Sequence, residues 1–333
     1  MKNTRYQSIL LLGALLLGSC KSNKNYGQSV LKLDKEITMP GVKGRIDHLD
    51  IDLKDQIVFV AALGNNTVEV IDMKSGKVIH TITGLNEPQG VAYISKHHEL
   101  FIANGGTGVC IFYNTANWQK VTSIKYNDDA DDVRYDKATD RIYVGYGSGG
   151  IGIVDAATHQ TIGDIKLPAH PESFQLDTKE GKLWVNLPGS GEIAMADLKS
   201  RAVTAHWKRL LPRSNFPMAY DAVQHRIMVG FRIPATLKVL DSRTGKELFS
   251  SGMVGDVDDI YWDDKTKQIL ISGGSGSVNI FKQTGDTYKQ GADIKTRSGA
   301  RTSLCIPEQR LFILAARESG GRPAALLVYS LTE

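Results

Sequence analysis

Two short stretches of the sequence concentrate carboxylates beside apolar residues. DADDVRYD runs from Asp129 to Asp136, and DVDDIYWD runs from Asp256 to Asp263. Carboxylates held close together raise one another's pKa unless a cation or fixed hydrogen-bond donors compensate. Such a cluster can hold a metal ion, bind a cationic ligand or supply a general base. Which of these it does depends on the elements that position the acids.

The two stretches recur because the chain is built from a repeated unit. Equivalent strand starts are separated by 42, 42, 41, 44, 42 and 43 residues. Each start is followed by a charged turn, an apolar strand such as RIYVGYG, a turn rich in glycine, proline or serine, and a strand such as TVEVID. A fourth strand follows in most units. The starts are His48, Gly90, Asp132, Ser173, Pro217, Asp259 and Thr302.

Four short strands in each period of about 42 residues are typical of a propeller blade. The sequence therefore predicts an all-β, seven-bladed β-propeller over residues 30–333. The last unit ends at Glu333 after three strands, whereas Val30–Ile37 is a strand without a blade. We expect this strand to pair beside Leu326–Ser330, because that pairing closes the ring and removes an exposed sheet edge.

The repeat also resembles a known family. IVFVAALGNNTVEVIDMKSGKVIHTI, from Ile57 to Ile82, resembles the bacterial YVTN-type β-propeller repeat, and TLKVLDSRTGKELF, from Thr236 to Phe249, resembles its second half. The resemblance covers nearly all of the chain after the N-terminal segment. It implies a scaffold that occurs in binding proteins, secreted proteins and some oxidoreductase-associated proteins, and it leaves the function open.

The N-terminus has the pattern of a secretion signal. Lys2 and Arg5 precede the apolar stretch Ile9–Leu17, and the segment LGSC ends at Cys20. LGSC resembles the bacterial lipobox, which implies that Cys20 is acylated and becomes the first residue of the mature chain. Residues 21–29 would then be a polar tether. We expect a lipid-anchored protein of the cell envelope, outside the cytoplasm, facing the periplasm or the cell surface.

Charge and cysteine content restrict the classes of partner that the protein is expected to bind. The formal net charge is +4, and removal of the two basic residues of the signal leaves +2 on the side chains. That total does not call for nucleic acid. The later cysteines, Cys110 and Cys305, lie inside apolar runs and are expected to be buried free thiols. We expect a monomer whose partners are the membrane, through the anchor, and a small ligand or an envelope protein.

Comparison of the units separates repeated acids from variable ones. Asp136 corresponds to Asp52, Asp177, Asp221 and Asp263, so we interpret it as a turn residue that binds nearby backbone amides. The other acids occupy variable positions. Three residues before the strand starts lie Arg45, Glu87, Asp129, His170, Ser214, Asp256 and Gly299. One residue before the starts lie Asp47, Gln89, Asp131, Glu172, Phe216, Asp258 and Arg301.

Period-two alternation directs both polar sets into the central channel, where the innermost strands enter it. The two rings carry seven acids against two arginines. The arginines, a metal ion or a cationic ligand could each compensate for this charge. The predicted binding residues of the channel mouth are Arg45, Asp47, His48, Glu87, Gln89, Asp129, Asp131, His170, Glu172, Asn215, Asp256, Asp258 and Arg301.

Three functions fit these residues. The leading hypothesis is a binding module that takes a ligand or partner through its acidic channel mouth. The second is a metal-dependent hydrolase or lactonase, with Asp131 or Glu172 as general base and a Ca²⁺-like ion on the channel axis. The ligands of that ion would be Asp47, Asp131, Glu172 and Asp258. The third is a structural scaffold for other envelope proteins.

Overall fold

A computed structural model of the protein describes residues 31–208 and 211–332. The predicted signal with Cys20, the tether 21–29 and Val30 lie outside the described residues. The described residues form seven four-stranded sheets in which each strand is antiparallel to its neighbours. The prediction of a seven-bladed β-propeller is confirmed. Two single-turn 3₁₀ helices, Leu63–Asn65 and Pro307–Gln309, lie between strands.

Each blade is one meander that runs outward from the channel. The innermost strands of blades 1 to 7 are β2 (Leu49–Asp52), β6 (Pro88–Ile94), β10 (Ala130–Asp136), β14 (Phe174–Asp177), β18 (Arg213–Asp221), β22 (Val257–Asp263) and β26 (Ser303–Ile306). The second strands are β3 (Ile57–Ala62), β7 (Glu99–Asn104), β11 (Arg141–Tyr146), β15 (Lys182–Leu187), β19 (Arg226–Ile233), β23 (Gln268–Gly273) and β27 (Leu311–Ala316).

The outer half of each blade completes the sheet. The third strands are β4 (Thr67–Asp72), β8 (Val109–Asn114), β12 (Gly150–Asp155), β16 (Glu192–Asp197), β20 (Ala235–Asp241), β24 (Ser277–Thr284) and β28 (Ala324–Leu331). The outermost strands are β5 (Lys77–Ile82), β9 (Lys120–Lys125), β13 (Gln160–Lys166), β17 (Ala202–Lys208), β21 (Glu247–Gly252), β25 (Thr287–Lys295) and, for blade 7, β1 (Leu31–Met39).

Burial along the strands follows from blades that pack face to face. The second strands are apolar runs buried on both faces, as in IVFVAA of β3 and LFILAA of β27. The outermost strands alternate between exposed and partly buried residues, as in β17. The core therefore lies between neighbouring blades. Phe59 of blade 1, for example, packs on Tyr93 of blade 2 with 5.6 Å between the ring centroids.

The N-terminal strand closes the ring as predicted. In β1, Leu31 pairs with Leu331 and Ile37 pairs with Leu326 of β28. Ile37 and Met39 are 2% and 1% exposed and belong to one apolar cluster with residues of blades 1 and 7. The first strand of the chain therefore contributes both hydrogen bonds to the last blade and packing to the first.

The repeated acids act in turns, which confirms their interpretation. Asp52 Oδ1 accepts the backbone N–H of Lys54 at 3.0 Å, and Asp263 Oδ1 accepts that of Lys265 at the same distance. Asp136 makes the same kind of turn with Ala138 at 3.2 Å.

Two further observations concern the body of the propeller. Cys110 and Cys305 are buried free thiols, as expected. Over residues 31–208 and 211–332, the protein has no helix whose length and apolar character would let it cross a membrane.

Replacing Ile37 with alanine should destabilise the whole propeller. The change leaves a cavity where β1 meets blades 1 and 7, and comparable buried truncations cost about 2–4 kcal/mol. Chemical denaturation measures this loss, with Lys32→Ala on the exposed part of the same strand as the control. Equal stability of the two variants would show that the β1 side chains do not contribute to ring closure.

Candidate functional site

The innermost strands of three blades carry the same irregularity where they reach the channel mouth. In blade 3 the ladder between β10 and β11 skips from Ala130 to Val133, so Asp131 and Asp132 together face one residue of the second strand. Blades 2 and 5 show the same skip. Such a β-bulge bends the strand and re-aims its side chains. Asp131 lines a cavity at the mouth, and Asp132 lines both that cavity and the wider channel beneath it.

The backbone just before these bulges adopts a left-handed conformation at equivalent positions. This conformation is unfavourable for residues other than glycine, so its recurrence indicates that the fold imposes the geometry of the mouth. The residues and their φ angles are Glu87 (49°), Asp129 (27°), Ser214 (61°), Asp256 (53°) and Gly299 (80°).

The mouth cavity has a volume of about 180 Å³. Its lining contains six carboxylates but only two guanidinium groups. Predicted mouth residues that line it are Arg45, Asp47, His48, Gln89, Asp129, Asp131, His170, Glu172 and Asp258. Residues of the lining that the sequence reasoning did not select are Asp132, Ser173, Phe216 and Arg232.

Arginines neutralise one side of the mouth. Arg45 Nη2 lies 2.7 Å from Asp47 Oδ2. Arg301 Nη1 lies 2.9 Å from Asp256 Oδ1, and its Nε lies 2.8 Å from Asp258 Oδ2 without the alignment of a hydrogen bond. Asp258 also forms an ion pair with Arg232.

His48 lies between two carboxylates on the wall that separates the mouth cavity from the channel. Its Nε2 is 3.9 Å from Asp47 Oδ1 and 3.8 Å from Asp131 Oδ1. Burial disfavours the charged imidazolium, but the carboxylates of Asp47, Asp132, Asp131 and Asp259 outweigh burial and raise the pKa of His48 to about 9. His48 is therefore a cation at neutral pH.

Two carboxylates on the other side of the mouth have no arginine partner. Asp131 is 9% exposed, and its buried Oδ1 has no hydrogen-bond partner. Burial, together with Asp47 and Glu172, raises the pKa of Asp131 well above its ordinary value, although His48 opposes the shift. The carboxylate of Glu172 makes no hydrogen bond or ion pair with the described residues. Burial and the charge of Asp258 raise the pKa of Glu172 to about 7.

His170 lies beside the same pair of strands. Its Nδ1 donates to the Gly147 carbonyl at 2.6 Å, because a carbonyl oxygen can only accept. Its Nε2 then faces Asp129 Oδ2 at 3.7 Å and Asp131 Oδ2 at 4.0 Å. Gln89 donates to Asp129 Oδ1 at 2.8 Å.

The metal site at Asp47, Asp131, Glu172 and Asp258 stays a prediction. Among the residues that the structure describes, no three His, Cys, Asp or Glu side chains form a group that could hold a metal ion. Arginines of the chain already contact two of the four carboxylates. Arg45 forms an ion pair with Asp47, and Arg232 and Arg301 both form ion pairs with Asp258.

Four predicted mouth residues do not line the cavity: Asp256 and Arg301 line a smaller cavity beside it, and Asn215 and Glu87 lie elsewhere. Asn215 is 2% exposed, and its Nδ2 donates to Asn186 Oδ1 and to the Glu192 carbonyl, both at 3.0 Å. It therefore packs within the blades. Glu87 is exposed beyond the cavity, where its backbone N–H donates to Asn66 Oδ1 at 2.8 Å.

The sequence analysis did not select Arg232 because it lies near the end of a second strand, β19, and the comparison covered only residues before the innermost strands. Its guanidinium lies 3.7 Å from the centroid of the Phe216 ring, and its Nε donates to the Val257 carbonyl at 2.8 Å. The length of the arginine side chain brings a third guanidinium to the mouth. One signal in the sequence was available: Phe216 is the apolar member of an otherwise polar set one residue before the strand starts, and Arg232 packs on it.

Beneath the mouth, the channel widens to a cavity of about 870 Å³. Its acids connect neighbouring blades. Asp50 Oδ2 accepts the Tyr93 N–H, and Asp259 Oδ2 accepts the Ser303 N–H, each at 2.6 Å. Burial raises the pKa of Asp50 to about 6 and, with the charge of Asp258, that of Asp259 to about 7. These carboxylates have structural partners, unlike the pair at the mouth.

The chain defines a seven-bladed β-propeller with an acidic channel mouth, and comparisons with known proteins agree on the fold. No family model matches the chain, and no curated protein matches it significantly. It is similar to a chain of the solved structure "Crystal Structure of Mitotic Checkpoint Complex", with a TM-score of 0.77 and 15% identity over 99% of this chain and 100% of that one. At that identity the likeness shows the fold alone.

Replacing Glu172 with glutamine should change how stability depends on pH. The pKa of Glu172 is about 7 in the folded protein, against 4.5 for the ordinary group. Between those pH values the unfolded chain loses the proton that the folded protein keeps, so stability falls as pH rises. We expect this fall to be smaller in Glu172→Gln, by on the order of 1–3 kcal/mol.

Urea titrations at a series of pH values between 4.5 and 7.5 measure the effect. Glu318→Gln removes an exposed carboxylate on the same end of the propeller and should leave the pH dependence unchanged. A pH dependence for Glu172→Gln that matches the wild-type protein would contradict the assignment of a protonated Glu172.

Proposed function

We propose that the protein is a lipid-anchored, extracytoplasmic binding module whose mouth cavity takes a cationic group of a small ligand or partner protein. The observation that carries the proposal is the pair Asp131 and Glu172. Both line the cavity, and neither carboxylate is neutralised by an arginine. A buried carboxylate that is only partly compensated is unfavourable, so an arriving ammonium or guanidinium group is attracted by the charge of this pair that His48 leaves uncompensated.

The raised pKa values make binding depend on pH. The pKa of Glu172, about 7, lets its side chain exchange a proton near neutral pH, and a cation in the cavity favours the ionised form. Binding therefore releases a proton, and the affinity for a cation rises between pH 6 and pH 8. His48 stays charged over that range because its pKa is about 9.

Support for the wider setting comes from the sequence. LGSC at Cys20 resembles a lipobox, and the repeat resembles the YVTN-type propellers. The propeller fold suits binding or scaffolding, and the similar solved chain belongs to a protein complex. We place the propeller outside the cytoplasm on this basis.

An alkylammonium probe tests the cavity. The membrane-extracted full chain should bind n-butylammonium and should not bind n-butanol, because the alcohol lacks the charge. Asp131→Asn combined with Glu172→Gln should weaken binding by about tenfold or more, as expected when a desolvated charge pair is lost. Isothermal titration calorimetry at pH 7 in two buffers of different ionisation enthalpy measures both affinity and proton release.

The matched control is Asp128→Asn, which removes an exposed carboxylate near the mouth that does not line the cavity. It should keep the wild-type affinity within about twofold, because exposed charges are screened. If the double variant binds butylammonium as well as the wild-type protein does, the cavity is not the site.

Cys20→Ala tests the anchor. We expect the variant to leave the membrane fraction, because acylation needs the cysteine, whereas Cys110→Ala should stay membrane-bound. Fractionation with detection of the protein, together with the mass of its N-terminal peptide, measures the change. An unacylated N-terminal peptide in the wild-type protein would contradict the lipobox assignment.

A further inference from the structure

Blade 5 differs from the other blades at the mouth. Its second strand, β19, has eight residues, where the second strand of every other blade has six. The turn that follows β19 centres on Ile233 and Pro234, whereas the corresponding turns of the other six blades contain glycine. An apolar turn thus occupies one point of a rim that is otherwise polar and glycine-rich.

Two large apolar side chains are exposed at this point. Leu211 is 63% exposed and Ile233 is 62% exposed. Arg213, two residues after Leu211, pairs directly with Ile233 across β18 and β19. The other large apolar side chains that are exposed among the described residues lie on outermost strands or in turns at the opposite end of the channel.

The apolar point is continuous with the cavity. Ile233 follows Arg232, which contacts Phe216 and Asp258, and all three of these residues line the cavity. A cavity with more carboxylates than guanidinium groups therefore lies next to an exposed apolar rim. We call Leu211, Ile233 and Pro234 the blade 5 rim.

We propose that the mouth cavity and the blade 5 rim together bind an extended peptide segment of a partner protein in which a lysine lies beside an apolar residue. This inference rests on the proposed function and names the class of ligand. The lysine ammonium enters the cavity toward Asp131 and Glu172, and the neighbouring apolar side chain covers the blade 5 rim.

The size of the cavity favours a peptide over a compact small molecule. A volume of about 180 Å³ is below the roughly 300–1,000 Å³ of pockets that enclose whole ligands. It has room for one aminoalkyl side chain. The blade 5 rim lies outside the cavity, so a ligand that contacts both must continue beyond the buried cation, as a peptide backbone does.

Three synthetic peptides test the two contacts separately. Acetyl-Gly-Lys-Leu-Gly-amide carries both, a norleucine in place of lysine removes the charge, and a serine in place of leucine removes the apolar group. Each is also made with the two central residues exchanged. In at least one order, calorimetry with the membrane-extracted full chain should show the Lys-Leu peptide binding about five- to thirtyfold tighter than the Lys-Ser peptide. The norleucine peptide should bind at least tenfold more weakly.

Variants of the protein assign the contacts. Leu211→Ser with Ile233→Ser should remove the preference for leucine over serine and leave butylammonium binding unchanged. Both residues are exposed, so the fold should tolerate the change. Val223→Ser replaces a residue that is 71% exposed on the same blade at the opposite end, and it should keep the preference.

The outcomes separate this inference from the proposed function. If butylammonium binds but neither order of the Lys-Leu peptide binds tighter than its serine counterpart, the blade 5 rim is not a contact and this inference fails alone. If neither butylammonium nor any lysine peptide binds, the proposed function fails. A dimer in sedimentation that Leu211→Ser with Ile233→Ser dissociates would assign the rim to a second copy of the chain and overturn the peptide assignment.

Discussion

The structure depends on the packing of each blade against the next. The second strands are apolar and buried on both faces. Each blade therefore needs a neighbouring blade on either side to cover its two faces. That requirement produces a ring, and a ring brings residues far apart in the chain to one axis. Asp131 of blade 3 lies 3.8 Å from His48 of blade 1 for this reason. The charge of the mouth is thus a product of blade packing.

The mouth divides into a compensated side and an uncompensated side. Arg45, Arg232 and Arg301 contact Asp47 and Asp258, whereas nothing among the described side chains pairs with Glu172. The acids of the wider channel accept backbone N–H groups of the next blade. Carboxylates around the channel therefore have three different roles, set by what each one contacts.

Much of this arrangement could be predicted from the sequence because the repeat supplies a register. Comparison between units identified the strands, the turn aspartates and most of the mouth lining. Asn215 was wrongly placed at the mouth although comparison between units could have prevented it. It occupies the position of Ile46, Ala130 and Val257, which are buried, and it is buried as they are. The contacts of Arg232 were missed because its long side chain reaches across two blades, and the trace in the sequence was Phe216 in a ring of otherwise polar residues.

The pairing of Leu31 with Leu331 joins β1, the first described strand, to β28, the last described strand. Of the strand pairings among the described residues, this one closes the longest stretch of chain. The entropic cost of that closure is offset only when both strands are present to pair. During synthesis β1 is made before its partner β28. Until β28 is made, β1 lacks the strand with which it pairs, so blade 7 becomes a four-stranded sheet only when strands from both ends of the described chain are present.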